Sequence, residues 1–355
     1  MFKLEDIDKN FKIESALSVQ DIKWHNVRSE PFKIYGVKYN QDRFERMPRE
    51  IAEKVSDGVK SLYACTAGGR VKFKTDSPYM AVHVKGFRFT KMCHFALTGS
   101  IGLDLYKNVN GQDVFVKSFV PPLDVENNEW EFLINNLYND EETLTYTIHM
   151  PLYGAINELY VGFKEGSVIE RAEEYSLTKP IVYYGSSITQ GGCASRAGNA
   201  YSNIISRKLS CDHINLGFSG CACAEDLIID HIKSLEMSLF VLDYDYNAPS
   251  VEHLKQTHEK FALAVRQQHP NLPIIMLTRP KTYLTDDEPD RLNVIKNTYE
   301  NFIKRGDKNV YFISGAELMK YTDNEGTVDN VHPTDFGFHS IAKVLGAKIK
   351  EILGL

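Results

Sequence analysis

Three residues far apart in the chain could act together on a carbonyl carbon. Ser187 follows the apolar run "IVYYG" of residues 181–185, while Asp329 and His332 share the short stretch "DNVHP". A serine hydroxyl attacks poorly at neutral pH unless a base takes its proton, and imidazole is suited to that task. The base needs a third group to fix its tautomer and stabilise imidazolium. Asp329 precedes His332 by three residues, so one turn of chain brings its carboxylate back to the other ring nitrogen. The attacked carbonyl becomes an oxyanion, which calls for donors aimed at the new charge. The backbone N–H groups of Ser187 and Gly220 and the side-chain amide of Asn247 are the candidates, and glycine at 220 lets the backbone approach a ligand closely. Arg279, closing "IIMLTR", is a candidate substrate contact. Singly, each residue has a plainer reading: serines in turns cap helices, Asn247 closes an Asx turn, His332 is a surface histidine before proline. Their joint placement argues otherwise.

That placement follows from the elements around them. After Pro180, the apolar runs "IVYYG", "HINLGF", "LFVLDYD", "IIMLTR" and "VYFIS" alternate with amphipathic helical stretches. Strands without internal alternation, each followed by a helix, predict a parallel sheet covered on both faces. Such α/β units predict a flavodoxin-like doubly wound sheet, whose ligands bind beyond the carboxyl ends of the strands. Ser187, Gly220, Asn247 and Arg279 all sit at those ends, with Asp329 and His332 just before the last helix.

From Phe32 to about Phe163 the rhythm has period two. "VKFKTD", "MAVHVKGF", "DVFVKSFV", "TLTYTIHM" and "ELYVGF" alternate apolar and polar residues, as half-buried antiparallel strands do. This front half is expected to be an all-β sandwich or jelly roll, with one helix over "PREIAEKVSDGVKSLY". The weakly patterned segment 164–180 marks the junction, giving domains at 1–170 and 180–355.

Composition narrows the function classes. A formal net charge of -6 and a pI near 6.0 argue against a nucleic-acid partner. No run of 18 apolar residues predicts a membrane span, and the opening "MFKLEDIDKNFKIESALS" has no apolar segment of the signal-peptide kind. The six cysteines form no C-x-x-C pair and are too sparse for a disulfide scaffold, and "CAC" at 221–223 lacks the companions of a metal site. A cytoplasmic protein without cofactor or metal is expected.

Four blocks resemble those of the SGNH/GDSL hydrolases: "GSSIT", "NLGFSG", the asparagine of "DYDYN", and "DNVHP". The resemblance runs from residue 181 to about 353. It implies that Ser187 is the nucleophile, Gly220 and Asn247 complete an oxyanion hole with the Ser187 amide, and Asp329 and His332 are the acid and base. Two departures stand out. Ser186 replaces the usual aspartate before the nucleophile, and Asp245-Tyr246-Asn247-Ala248 replaces Gly-x-Asn-Asp. A β-sandwich ahead of such a domain is similar to two-domain carbohydrate esterases, which implies removal of acetyl or other short acyl groups from oligosaccharides through an acyl-enzyme. Alternatives are an esterase or thioesterase on small acyl metabolites, a lysophospholipase, or a non-catalytic carbohydrate-binding protein. The expected partner is a small-molecule or oligosaccharide acyl ester; a homo-oligomer is left open.

Overall fold

The computed structural model describes residues 7, 17–122, 125–140 and 142–355. Most of the opening segment read above for targeting signals lies outside the described residues. No helix among the described residues is long and apolar enough to cross a membrane.

The back half is a parallel five-stranded sheet with helices on its faces. Its strands are Leu177–Gly185, Cys211–Gly217, Leu239–Asp243, Ile274–Leu277 and Val310–Ile313, and the second in sequence lies outside the first, giving order 2-1-3-4-5. This is the flavodoxin-like order predicted, with its switch point beside the first strand. The strands Leu239–Asp243 and Ile274–Leu277 are buried at every residue, which is why they show no alternation. The helices Tyr201–Leu209, Asp226–Lys233, Val251–Gln268, Glu288–Lys304 and Asp335–Leu353 fall on the periodic stretches. The first strand starts earlier than Pro180 suggests. Leu177 already pairs with Cys211, and a register shift between Leu177 and Ile181 accommodates the proline, which has no N–H to give the ladder.

The front half packs two antiparallel sheets over an apolar core that includes Phe73, Val82, Phe119, Tyr146 and Phe163. One sheet orders Ile22–Asn26, Glu158–Lys164, Met80–Lys85 and Glu129–Ile134; the other runs from Ile169–Glu170 through Arg70–Thr75, Leu144–His149 and Leu103–Val109 to Gln112–Phe119. The expected single helix is two, Arg49–Val55 and Asp57–Leu62, divided at Ser56, whose extended backbone and Oγ cap the second. Arg70–Thr75 alternates in sequence yet is buried on both faces. Its first residue meets the back half: Arg70 is fully buried, donating to the His213 carbonyl at 3.1 Å and pairing with Asp212.

Candidate active site

The first strand ends in a sharp turn whose geometry the sequence dictates. Ser186, in extended backbone, caps the four-residue helix Ser187–Gln190 by accepting from the Ile188 N–H at 3.1 Å. Ser187 opens that helix, where no preceding turn supplies an acceptor for its own N–H. The helix sits directly on the second strand. A Cβ on Gly217 would lie 2.2 Å from the Gln190 nitrogen, so only glycine fits there.

Ser187, 7% exposed, places its Oγ 2.9 Å from His332 Nε2. The far ring nitrogen of His332 lies 2.7 Å from Asp329 Oδ2. With Nδ1–H donating to the carboxylate, Nε2 is left to accept from the serine. Asp329 reaches this position by a tight local turn: its Oδ1 accepts from the backbone N–H groups of Val331 at 3.0 Å and His332 at 2.7 Å. Burial alone would raise the Asp329 carboxyl, but the hydrogen bonds from the His332 backbone and ring outweigh it and hold the group below the usual carboxylate range.

The second and third blocks meet beside this pair. Gly220 has φ +71°, the left-handed region glycine favours, and no acceptor among the described residues takes its N–H. Asn247 closes a 3-10 turn over Asp245–Asn247, and its Oδ1 accepts from the Ala222 N–H at 3.3 Å, which leaves the NH2 for another acceptor. Asp245, standing where the family has glycine, clamps this turn. It accepts from the Arg279 N–H at 3.0 Å and from the guanidinium at 3.2 and 3.0 Å. Arg279 also donates to Glu288 at 2.9 Å and is only 7% exposed. The guanidinium expected at the substrate is therefore engaged inside the protein, where it fixes the loop that carries Asn247.

A buried acid braces the turn that carries Ser187. Asp243 ends the central strand and accepts from Thr189 Oγ1 at 2.8 Å and from the Tyr201 hydroxyl at 3.2 Å. Burial pushes its carboxyl up to about 7, against the lowering effect of those two donors. Asn215 adds a second brace, donating to the Thr189 carbonyl at 2.7 Å.

Sequence reasoning named none of the residues that the front half contributes. Arg46, buried and lowered by that burial to about 10, donates to the carbonyls of Asn215 at 3.1 Å, Gly217 at 2.6 Å and Leu62 at 2.8 Å. It thereby fixes the strand end that leads to Gly220. The Tyr153 hydroxyl donates to the Ser187 carbonyl at 3.4 Å, and Gln190 bridges Leu152 and the Ser219 N–H. A cavity of about 570 Å³ lies against these residues, with Tyr63, Arg88, Phe89, Tyr153 and Ser219 in its wall. His94 and Cys193 also stand beside His332: the two imidazole centroids are 5.9 Å apart, and burial and the Asp329 charge push the Cys193 thiol up to about 12. Arg46, His94 and Tyr153 carry no local signal, because each reaches the site only through the packing of one half on the other.

Residues 178–350 match the GDSL-like lipase/acylhydrolase family, and residues 22–169 match the N-terminus of Esterase_SGNH_hydro-type proteins. Among solved structures, the chain is similar to a Bacteroides ovatus protein described as a GDSL-like lipase, at 27% identity and TM-score 0.83 over 94% of this chain and 98% of that one. It shares its fold with a salicylyl-acyltransferase from a tetracycline biosynthetic pathway (18%, TM-score 0.75, covering 95% and 99%). It also shares it with a family two carbohydrate esterase of Clostridium thermocellum solved with cellohexaose (13%, TM-score 0.61, covering 91% and 99%). No curated protein matches the chain.

Proposed function

We propose that the chain is a serine esterase that removes acetyl or other short acyl groups from oligosaccharides through an acyl-enzyme. The observation that carries this reading is the relay from Ser187 Oγ to His332 Nε2 at 2.9 Å and on from Nδ1 to Asp329 at 2.7 Å. His332 takes the Ser187 proton as Oγ attacks the ester carbonyl. The N–H groups of Ser187 and Gly220 and the amide of Asn247 receive the oxyanion. His332 then returns the proton to the departing sugar hydroxyl, and water attacks the acyl-Ser187 by the same route in reverse. Domains at about 1–170 and 180–355 divide the work, the back half supplying chemistry and the front half a wall for the leaving alcohol.

The carbohydrate part of this reading draws support from the family two carbohydrate esterase and the acetyl xylan esterase that share the fold and from the aromatic and cationic cavity beside Ser219. The test is acetate release from a panel of acetylated oligosaccharides beside p-nitrophenyl acetate and butyrate. The expected result is release from at least one oligosaccharide, a marked preference for acetyl over butyryl, and loss of nearly all activity in Ser187→Ala. Hydrolysis of long acyl esters with no release from any glycan would move the substrate to acyl metabolites or lysolipids.

A further inference from the structure

A cluster of soft donors surrounds the imidazole that this reading makes the base. One ring nitrogen of His94, the Cys193 sulfur and one ring nitrogen of His332 all lie within 4.8 Å of one another. They come from three separate segments, and the packing holds those segments together. Phe95, next to His94, is buried against Tyr153 with ring centroids 5.2 Å apart. Ser195, two residues after Cys193, gives its N–H to Asp335 at 2.8 Å, and Thr98 Oγ1 donates to the Ser195 carbonyl. Asp335 opens the helix that follows His332. Cys193 itself holds a left-handed backbone, φ 73°, which side-chain-bearing residues seldom adopt.

We propose that this cluster is a divalent-cation site of the zinc class, formed by His94, Cys193 and His332 Nε2, and that filling it shuts the esterase off. Two imidazoles and one thiolate suit zinc, which takes such donors in tetrahedral geometry with a fourth place for water. Zinc bonds of roughly 2.0–2.3 Å need donors roughly 3.5 Å apart, so all three side chains must close in on the cation, the exposed His94 having the most room to move. His332 already presents the arrangement a metal-bound histidine uses, with Nδ1–H on a carboxylate and Nε2 free for the cation. Binding replaces the Ser187 hydrogen bond on Nε2 with a metal bond, and the Cys193 thiol releases its proton to solvent. A base whose lone pair is held by zinc cannot accept the serine proton.

The inhibition rests on His332 being the base, whereas the binding does not, so the two are read separately. Chelator-treated protein is titrated with cobalt(II) and followed by absorption, and with zinc(II) while p-nitrophenyl acetate hydrolysis is measured. Cobalt should give a thiolate-to-metal charge-transfer band that saturates at one equivalent and is absent in Cys193→Ser. Zinc should abolish hydrolysis, reversibly on adding chelator. The variants His94→Ala and Cys193→Ser should keep wild-type activity without metal yet need roughly tenfold more zinc or greater for half-inhibition. Absence of the cobalt band overturns the site, whether or not the protein proves to be an esterase. Equal zinc sensitivity in wild type and both variants overturns the switch.

Discussion

The serine and the histidine of the relay are held by opposite means. Ser187 is 7% exposed and rests on the sheet, braced by Thr189 on Asp243, by Asn215, and through Gly217 by Arg46 of the front half. The Asp329 and His332 side chains are 38% and 24% exposed and are held by a hairpin of their own. There Val328 donates to the His332 carbonyl at 2.9 Å, Thr327 and Pro333 bridge, and Asn330 turns through φ 65°. Placement of Ser187 is thus a property of the whole fold, and placement of His332 a property of a few residues. Damage near the serine should therefore cost stability and activity together. Damage in the hairpin should cost activity alone.

The largest effect expected is on the relay itself. Ser187→Ala and His332→Ala should each lower kcat/KM on an acetyl ester by about a thousandfold, and Asp329→Asn by roughly a hundredfold, since the amide no longer fixes the imidazole. Urea midpoints of the two hairpin variants should stay at the wild-type value. A stability loss matching that of a core mutation would break the contrast.

Arg46→Met tests the other side of it. Three carbonyls lose their buried donor, which should destabilise by about 3 kcal/mol and, by letting the Gly220 turn shift, lower kcat by roughly tenfold. Wild-type kcat in a destabilised Arg46→Met protein would mean that the front half is structural only. Because the back half depends on this arginine and its first strand begins at Leu177, a chain cut near residue 180 is a poor test of the same point.

This split also explains what the sequence made legible. The buried strands read as unbroken apolar runs and the amphipathic helices as periodic ones, so the 2-1-3-4-5 sheet was within reach. Asp329 and His332 sit three residues apart, and local spacing reveals local geometry. Arg46, Tyr153 and His94 act across the packing of the two halves, which no spacing encodes. Arg279 misled because its partners Asp245 and Glu288 meet it only in the fold. The early start of the first strand was hidden by Pro180, which a register shift absorbs.

A smaller, pH-linked effect sharpens the comparison. Asp243 ionises near 3.8 when unfolded and near 7 when folded, a gap worth about 4 kcal/mol. The unfolded chain gives up this proton first, so the wild type should lose stability as pH rises from about 4 to about 7. The substitution Asp243→Asn keeps an acceptor for Thr189 and Tyr201 without a group that titrates. The stability of Asp243→Asn relative to wild type, from urea unfolding at pH 4.5 and pH 8, should therefore rise with pH. A constant difference would show that Asp243 is not the buried acid described.

The central claim is that Ser187, driven by His332, carries the acyl group. It is tested most directly by mixing the protein with an activated acetyl ester, quenching in acid and mapping the peptides by mass spectrometry. The account predicts one acetyl group per chain on the peptide holding Ser187, assigned by fragmentation to Ser187 rather than Ser186, and absent in Ser187→Ala and His332→Ala. Acetylation of Ser186, or turnover near the wild-type rate in Ser187→Ala, would contradict it.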